Sequence, residues 1–261
     1  MRFVVFTIVL LIATSVWSWP FSNRSVDMNI SVLAEVESDV PAEYVDMEPQ
    51  QRKYEFVEWI LPIVERQNDQ ILQLRKIVLQ IQRKEMFKIA ITEDEQNFLN
   101  MLQLEYGGNS IQDLLERINI IPISMIIAQA SLESGWGSSR FAVEGNNLFG
   151  IRTWTESTPH LLIKGIDKWP GWGVKVFASK CDSVKEYVRL LNEHPAYEDF
   201  RKARTNFHVK NLEPDPLILI QNIDKFSTTA DYDKRVKRII VKVRKLEEKY
   251  ASDKTINGDN K

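Results

Sequence analysis

Apolar residues fall at helical spacing along most of this chain, and the densest segment is 122–134. There Met125, Ile126, Ile127, Ala128, Ala130 and Leu132 leave almost no polar side. A helix apolar on nearly all faces belongs in a core. Pro122 suits its first turn, and Gly135 and Gly137 end it. Glu133 falls in the last turn, where apolar surroundings and the partial negative charge of a helix C-terminus both raise a carboxyl pKa. A carboxylic acid that keeps its proton near neutral pH is a candidate general acid.

Upstream, Ile60, Val64, Ile71, Leu74, Val78 and Ile81 predict a long amphipathic helix over about 54–88, kinked or restarted at Pro62. Its stripe can pack on the rest of the chain or pair with a second copy as a short coiled coil. Thr92-Glu93-Asp94-Glu95 has the form of a capping box opening a helix through Phe98, Leu99, Leu102 and Tyr106, which Gly107-Gly108 ends. Short helices are expected over 110–117 and 138–143. After Asn147 the pattern changes to short runs of β-formers, 148–154, 160–166 and 173–179, which predict a small antiparallel lobe carrying Trp154, Trp169 and Trp172. Helices follow over 183–191, with Asp182 as cap, over 196–203, over 214–223, and from Tyr232 to about Tyr250. The last has a basic outer face, most simply a solvated one, with an anionic envelope polymer as the alternative ligand. The fold class is therefore α+β and mostly helical.

Composition adds boundaries. The 261 residues suffice for one sizeable core plus an accessory segment, and the balance of 34 basic against 36 acidic residues carries no nucleic-acid footprint. Met1-Arg2, the apolar run Phe3–Ala13 and the small residues before Trp19 read as a signal peptide over 1–18, or alternatively as an uncleaved membrane tether. Either way the remainder is exported, to the periplasm or cell envelope. The organisation that follows is a Pro-rich, acidic tether over 19–53, the long helix over 54–90, a domain over 91–250 that holds the candidate acid Glu133, and a disordered tail over 251–261. Cys181 is the only cysteine, so no internal disulfide forms.

Few other chemistries fit. His160, His194 and His208 lack metal-ligand spacing, and no phosphate-cradling or dinucleotide-binding glycine motif occurs, so neither a metal nor a cofactor is expected. Cys181 with His194 would be the pair for a peptidase, but neither lies in a nucleophile motif.

The run Ala128-Gln129-Ala130-Ser131-Leu132-Glu133-Ser134-Gly135-Trp136-Gly137, followed by Asn146-Asn147-Leu148-Phe149-Gly150, closely resembles the signature of bacterial cell-wall N-acetylglucosaminidases. These are also described as mannosyl-glycoprotein endo-beta-N-acetylglucosaminidase-like domains, and within them the chain most resembles the Bax-type proteins, over about residues 92–250. The resemblance implies a lysozyme-like core with the small β lobe beside an active-site groove, and cleavage of the β-1,4 bond following N-acetylglucosamine in peptidoglycan. It implies Glu133 as the catalytic acid and Tyr232 close to it, positioning the sugar or steadying charge. Asn147 and Phe149 would shape the groove, Trp136 would pack beneath Glu133, and Trp154 would offer a flat face to sugar. The second carboxylate would come from the β lobe, where Glu156 and Asp167 are the candidates. A substrate bearing an N-acetyl group can instead supply its own nucleophile. The alternatives are a muramidase or lytic transglycosylase acting on the neighbouring bond, and a catalytically idle wall-binding scaffold.

Overall fold

The computed structural model describes residues 44–227 and 229–258, with side chains through 252. The expected signal peptide and most of the tether lie outside the described residues. The described chain is mostly helical with one small antiparallel sheet, as the sequence predicts. Among the described residues no helix is long and apolar enough to cross a membrane.

The first helix, α1 (Pro49–Met86), starts at a proline suited to a first turn and runs through Pro62 without a restart. It begins before Tyr54, so the last residues of the expected tether are helical. The chain forms two compact units, and α1 contributes to both. One unit comprises residues 70–119: the second part of α1, α2 (Glu93–Tyr106) and α3 (Ile111–Arg117). Thr92 and Glu95 make the capping box, and the fully buried Glu95 also pairs with Lys84 at 2.6 Å.

The other unit holds residues 44–69 and 120–258. Its centre is α4 (Ile123–Ser134), buried from Ser124 through Ser131. After the short α5 (Arg140–Gly145) comes the sheet of β1 (Arg152–Thr153), β2 (His160–Leu161) and β3 (Gly173–Lys175), in the order β1-β3-β2. Arg152 pairs with Val174, and His160 with Lys175. These strands are much shorter than the runs of β-formers. Trp169 lies on His160 at 4.5 Å, and Trp172 takes the Arg152 guanidinium at 4.1 Å, so both rings brace their own lobe.

Next come α6 (Lys180–Glu193), α7 (Glu198–Val209) and α8 (Pro216–Leu219). The N-cap of α6 is Ser179, not Asp182; Asp182 occupies the third helical position and bonds back to the Ser179 backbone N–H, completing a capping box. Finally α9 (Tyr232–Gly258) lies along α4 and buries Tyr232, Val236, Ile240, Val243 and Leu246, three or four residues apart, on one face. It stays helical past Tyr250, where a disordered tail was expected.

Candidate active site

Gly135, Trp136 and Gly137, at the end of α4, adopt φ of 60°, 59° and 78° in succession. Three left-handed residues turn the chain sharply away from the buried helix. For Trp136 that conformation costs about 1 kcal/mol, and hydrogen bonds hold it there. Its N–H donates to the Ser131 carbonyl at 2.8 Å, and its own carbonyl accepts from the buried Tyr44 hydroxyl. A Cβ on Gly137 would meet the Phe56 ring at 3.1 Å, so both backbone angle and space call for glycine. The Trp136 ring packs edge-on against Phe56 at 5.8 Å and carries the ammonium groups of Lys53 and Lys242.

Glu133 stands just before that turn and is partly buried. Burial raises its pKa, and the Tyr232 hydroxyl and the Arg235 charge partly offset the rise. The net direction is upward, which favours the protonated acid. The two residues, far apart in sequence, meet because α9 lies along α4 with Tyr232 in its first turn.

Behind the pair runs a chain of hydrogen bonds with one direction. The Tyr187 hydroxyl donates to Gln129 Oε1, and Gln129 Nε2 donates to the Tyr232 hydroxyl at 3.1 Å. Tyr232, having accepted there, has its own proton left for Glu133. Burial and the neighbouring carboxyl push the Tyr232 hydroxyl pKa up, so it stays a donor. Phe149 stacks on Tyr187 with centroids 4.1 Å apart, and Phe226 lies between the rings of Tyr187 and Tyr232, at 5.8 and 6.0 Å. A pocket of about 270 Å³ opens beside Tyr232, lined also by Ile220, Ile223, Asp224 and Asp231.

Asn147 is buried and its side-chain amide is fully engaged by backbone. It donates to the carbonyls of Ile151 and Lys175, both at 2.8 Å, and accepts from the N–H of Phe149 and Ile151. Asn147 thus ties the turn after α5 to β3. Trp154 is 71% exposed. Glu156 lies between β1 and β2 and Asp167 between β2 and β3, both exposed and without a hydrogen bond or ion pair among the described residues. Gln129, Tyr187, Phe226 and Arg235 join the site without having been singled out in the sequence. Of these only Gln129 carries a signal, as an amide at a buried position of a largely apolar helix.

Residues 108–245, which include this whole arrangement apart from Tyr44, Lys53 and Phe56, match the family described as Mannosyl-glycoprotein endo-beta-N-acetylglucosaminidase. The chain belongs to that family. It is 32% identical over 184 residues to Protein bax of Escherichia coli (strain K12), covering 68% of this chain and 64% of that one. It is 27% identical over 151 residues to Peptidoglycan hydrolase FlgJ of Salmonella typhimurium, covering 54% of this chain and 45% of that one. The chain thus spans less than two thirds of the length of either relative. The solved glycoside hydrolase domain of Salmonella typhimurium FlgJ aligns with a TM-score of 0.42 and 24% identity, over 62% of this chain and 91% of that one. In this member of the glucosaminidase family, Glu133 of α4 meets Tyr232 of α9.

Proposed function

We propose that this chain is a peptidoglycan hydrolase that cleaves the β-1,4 bond following N-acetylglucosamine, with Glu133 as general acid. The observation that carries this reading is the partly buried Glu133 carboxyl, raised in pKa and met by the Tyr232 hydroxyl. Breaking a glycosidic bond requires a proton on the departing oxygen as the sugar approaches an oxocarbenium-like state. Burial shifts Glu133 toward its protonated form before substrate arrives. Once it leaves, the new carboxylate accepts the Tyr232 hydroxyl proton as a hydrogen bond and feels the Arg235 charge. Those two groups stabilise the charged form more than the neutral one, so their effect grows as the proton transfers.

The choice of bond follows the family description, and the choice of polymer is supported by the relative named as a peptidoglycan hydrolase. Export is read from residues 1–18. The test is mass spectrometry of fragments released from purified peptidoglycan. N-acetylglucosamine at the new reducing end is expected; N-acetylmuramic acid or its anhydro form there would assign the neighbouring bond, as for a muramidase or lytic transglycosylase.

A further inference from the structure

Two lysines distant in sequence meet over the tryptophan of the motif loop. Lys53 Nζ lies 6.0 Å and Lys242 Nζ 5.7 Å from the centroid of the Trp136 ring. Both side chains are part-exposed, and neither pairs with a carboxylate among the described residues. The ion pairs of α9 are made instead by Lys234, Lys237 and Arg244. Burial and the neighbouring Lys53 charge lower the Lys242 pKa. Like charges gathered without a counter-ion among the described residues repel each other, and a bound anion relieves both at once. Lys242 also belongs to a stripe of Arg235, Arg238, Lys242, Lys245 and Lys249 at intervals of three and four along α9. One end of that stripe acts on Glu133 through Arg235; at the other, Lys249 lies 4.6 Å from the centroid of the Tyr54 ring.

We propose that Lys53, Lys242 and Trp136 form an anion-accepting subsite that holds a carboxylate on the peptide side branches of the glycan substrate. This rests on the proposed function, because it is the peptides of the wall polymer that would bring such carboxylates to the loop following Glu133. The ring holds the two ammonium groups side by side, and together they take the charge of the side branch. Lys53 lies outside residues 108–245, so half of the cationic pair comes from a segment beyond the family match.

The test is co-sedimentation of the full chain carrying Glu133→Gln with purified peptidoglycan, either native or with its carboxylates converted to amides. Native material should bind about tenfold more tightly, the scale of one charge-assisted contact. Adding Lys53→Gln and Lys242→Gln should abolish that preference, and Lys53→Arg with Lys242→Arg should keep it. Equal binding of both materials by the Glu133→Gln chain, or a preference that survives the double glutamine change in a chain with an unaltered melting profile, would overturn the proposal. Equal binding would do so even if the double variant failed to fold. Failure of the unsubstituted chain to release reducing ends would count against the proposed function instead and leave the binding comparison readable.

Discussion

Gln129 donates to the Tyr232 hydroxyl at 3.1 Å, and this one bond decides where the tyrosine's own proton points. Because Gln129 Oε1 is taken by Tyr187, the amide cannot turn over without breaking two contacts. Tyr232 is left as a donor aimed at Glu133. Replacing Gln129 with Leu should therefore lower kcat by roughly tenfold through loss of orientation while KM changes little, as steady-state kinetics would show.

Tyr232→Phe separates two effects in a pH profile. Glu133 must be protonated to act, so activity is present at low pH and lost as pH rises through its raised pKa. The Tyr232 hydrogen bond holds that pKa down, so removing it should move the alkaline limb of kcat/KM to higher pH. The maximum should nonetheless fall, by about 10- to 100-fold, because the departing proton leaves a less stabilised carboxylate. An unshifted limb would mean that the hydroxyl does not act on Glu133.

The same shift has a stability consequence. A carboxyl whose folded pKa lies above its unfolded value binds more protons in the folded state, so stability falls as pH rises between the two values. Glu133→Gln removes that dependence. Thermal melts at neutral pH should show the variant more stable by roughly 0.5–1 kcal/mol, with the gain vanishing at acidic pH below the unfolded pKa.

Tyr44 and Gly137 hold the turn that follows Glu133. Tyr44→Phe removes the donor to the Trp136 carbonyl and should cost about 1–2 kcal/mol in denaturant unfolding. Gly137→Ala adds a Cβ at φ 78° and against Phe56, and should cost about 1–3 kcal/mol. Activity should fall in both variants, because the turn sets the direction of the preceding helix end.

Glu156 and Asp167 are exposed and unheld. If one of them activates water or attacks the sugar, its amide variant should lose on the order of 10²-fold or more in kcat. We expect each of Glu156→Gln and Asp167→Asn to lose less than about tenfold, with the acetamido oxygen of the substrate serving as the internal nucleophile. A retained configuration in the product, read by NMR, would accompany that outcome.

The features legible in the sequence are those fixed by local rules. The α4 helix follows from an unbroken apolar face, its stop from paired glycines, and the α2 start from Thr92 and Glu95. The sequence points to Asp182 as the cap of α6, three residues past the true cap, because Asp182 and Ser179 are both competent caps and only the box geometry separates them. The strands are shorter than the runs of β-formers, and side chains hold their flanks: Asn147 ties the turn before β1 to β3, and Trp169 folds onto His160. Tyr187 reads in sequence as an ordinary core aromatic. Its place behind Gln129 depends on how α6 packs, which no local pattern encodes. Tyr44 was hidden for the same reason, in a stretch whose acidic and proline-rich composition suggests only a tether.

The central claim concerns the proton on Glu133, and the measurement that tests it most directly is release of reducing ends from purified peptidoglycan by the unsubstituted chain and by Glu133→Gln. The unsubstituted chain should release them, and the variant should fall by about 10³-fold or more while still sedimenting with the polymer. Comparable release by both, or none by either, would contradict the assignment of Glu133 as the acid.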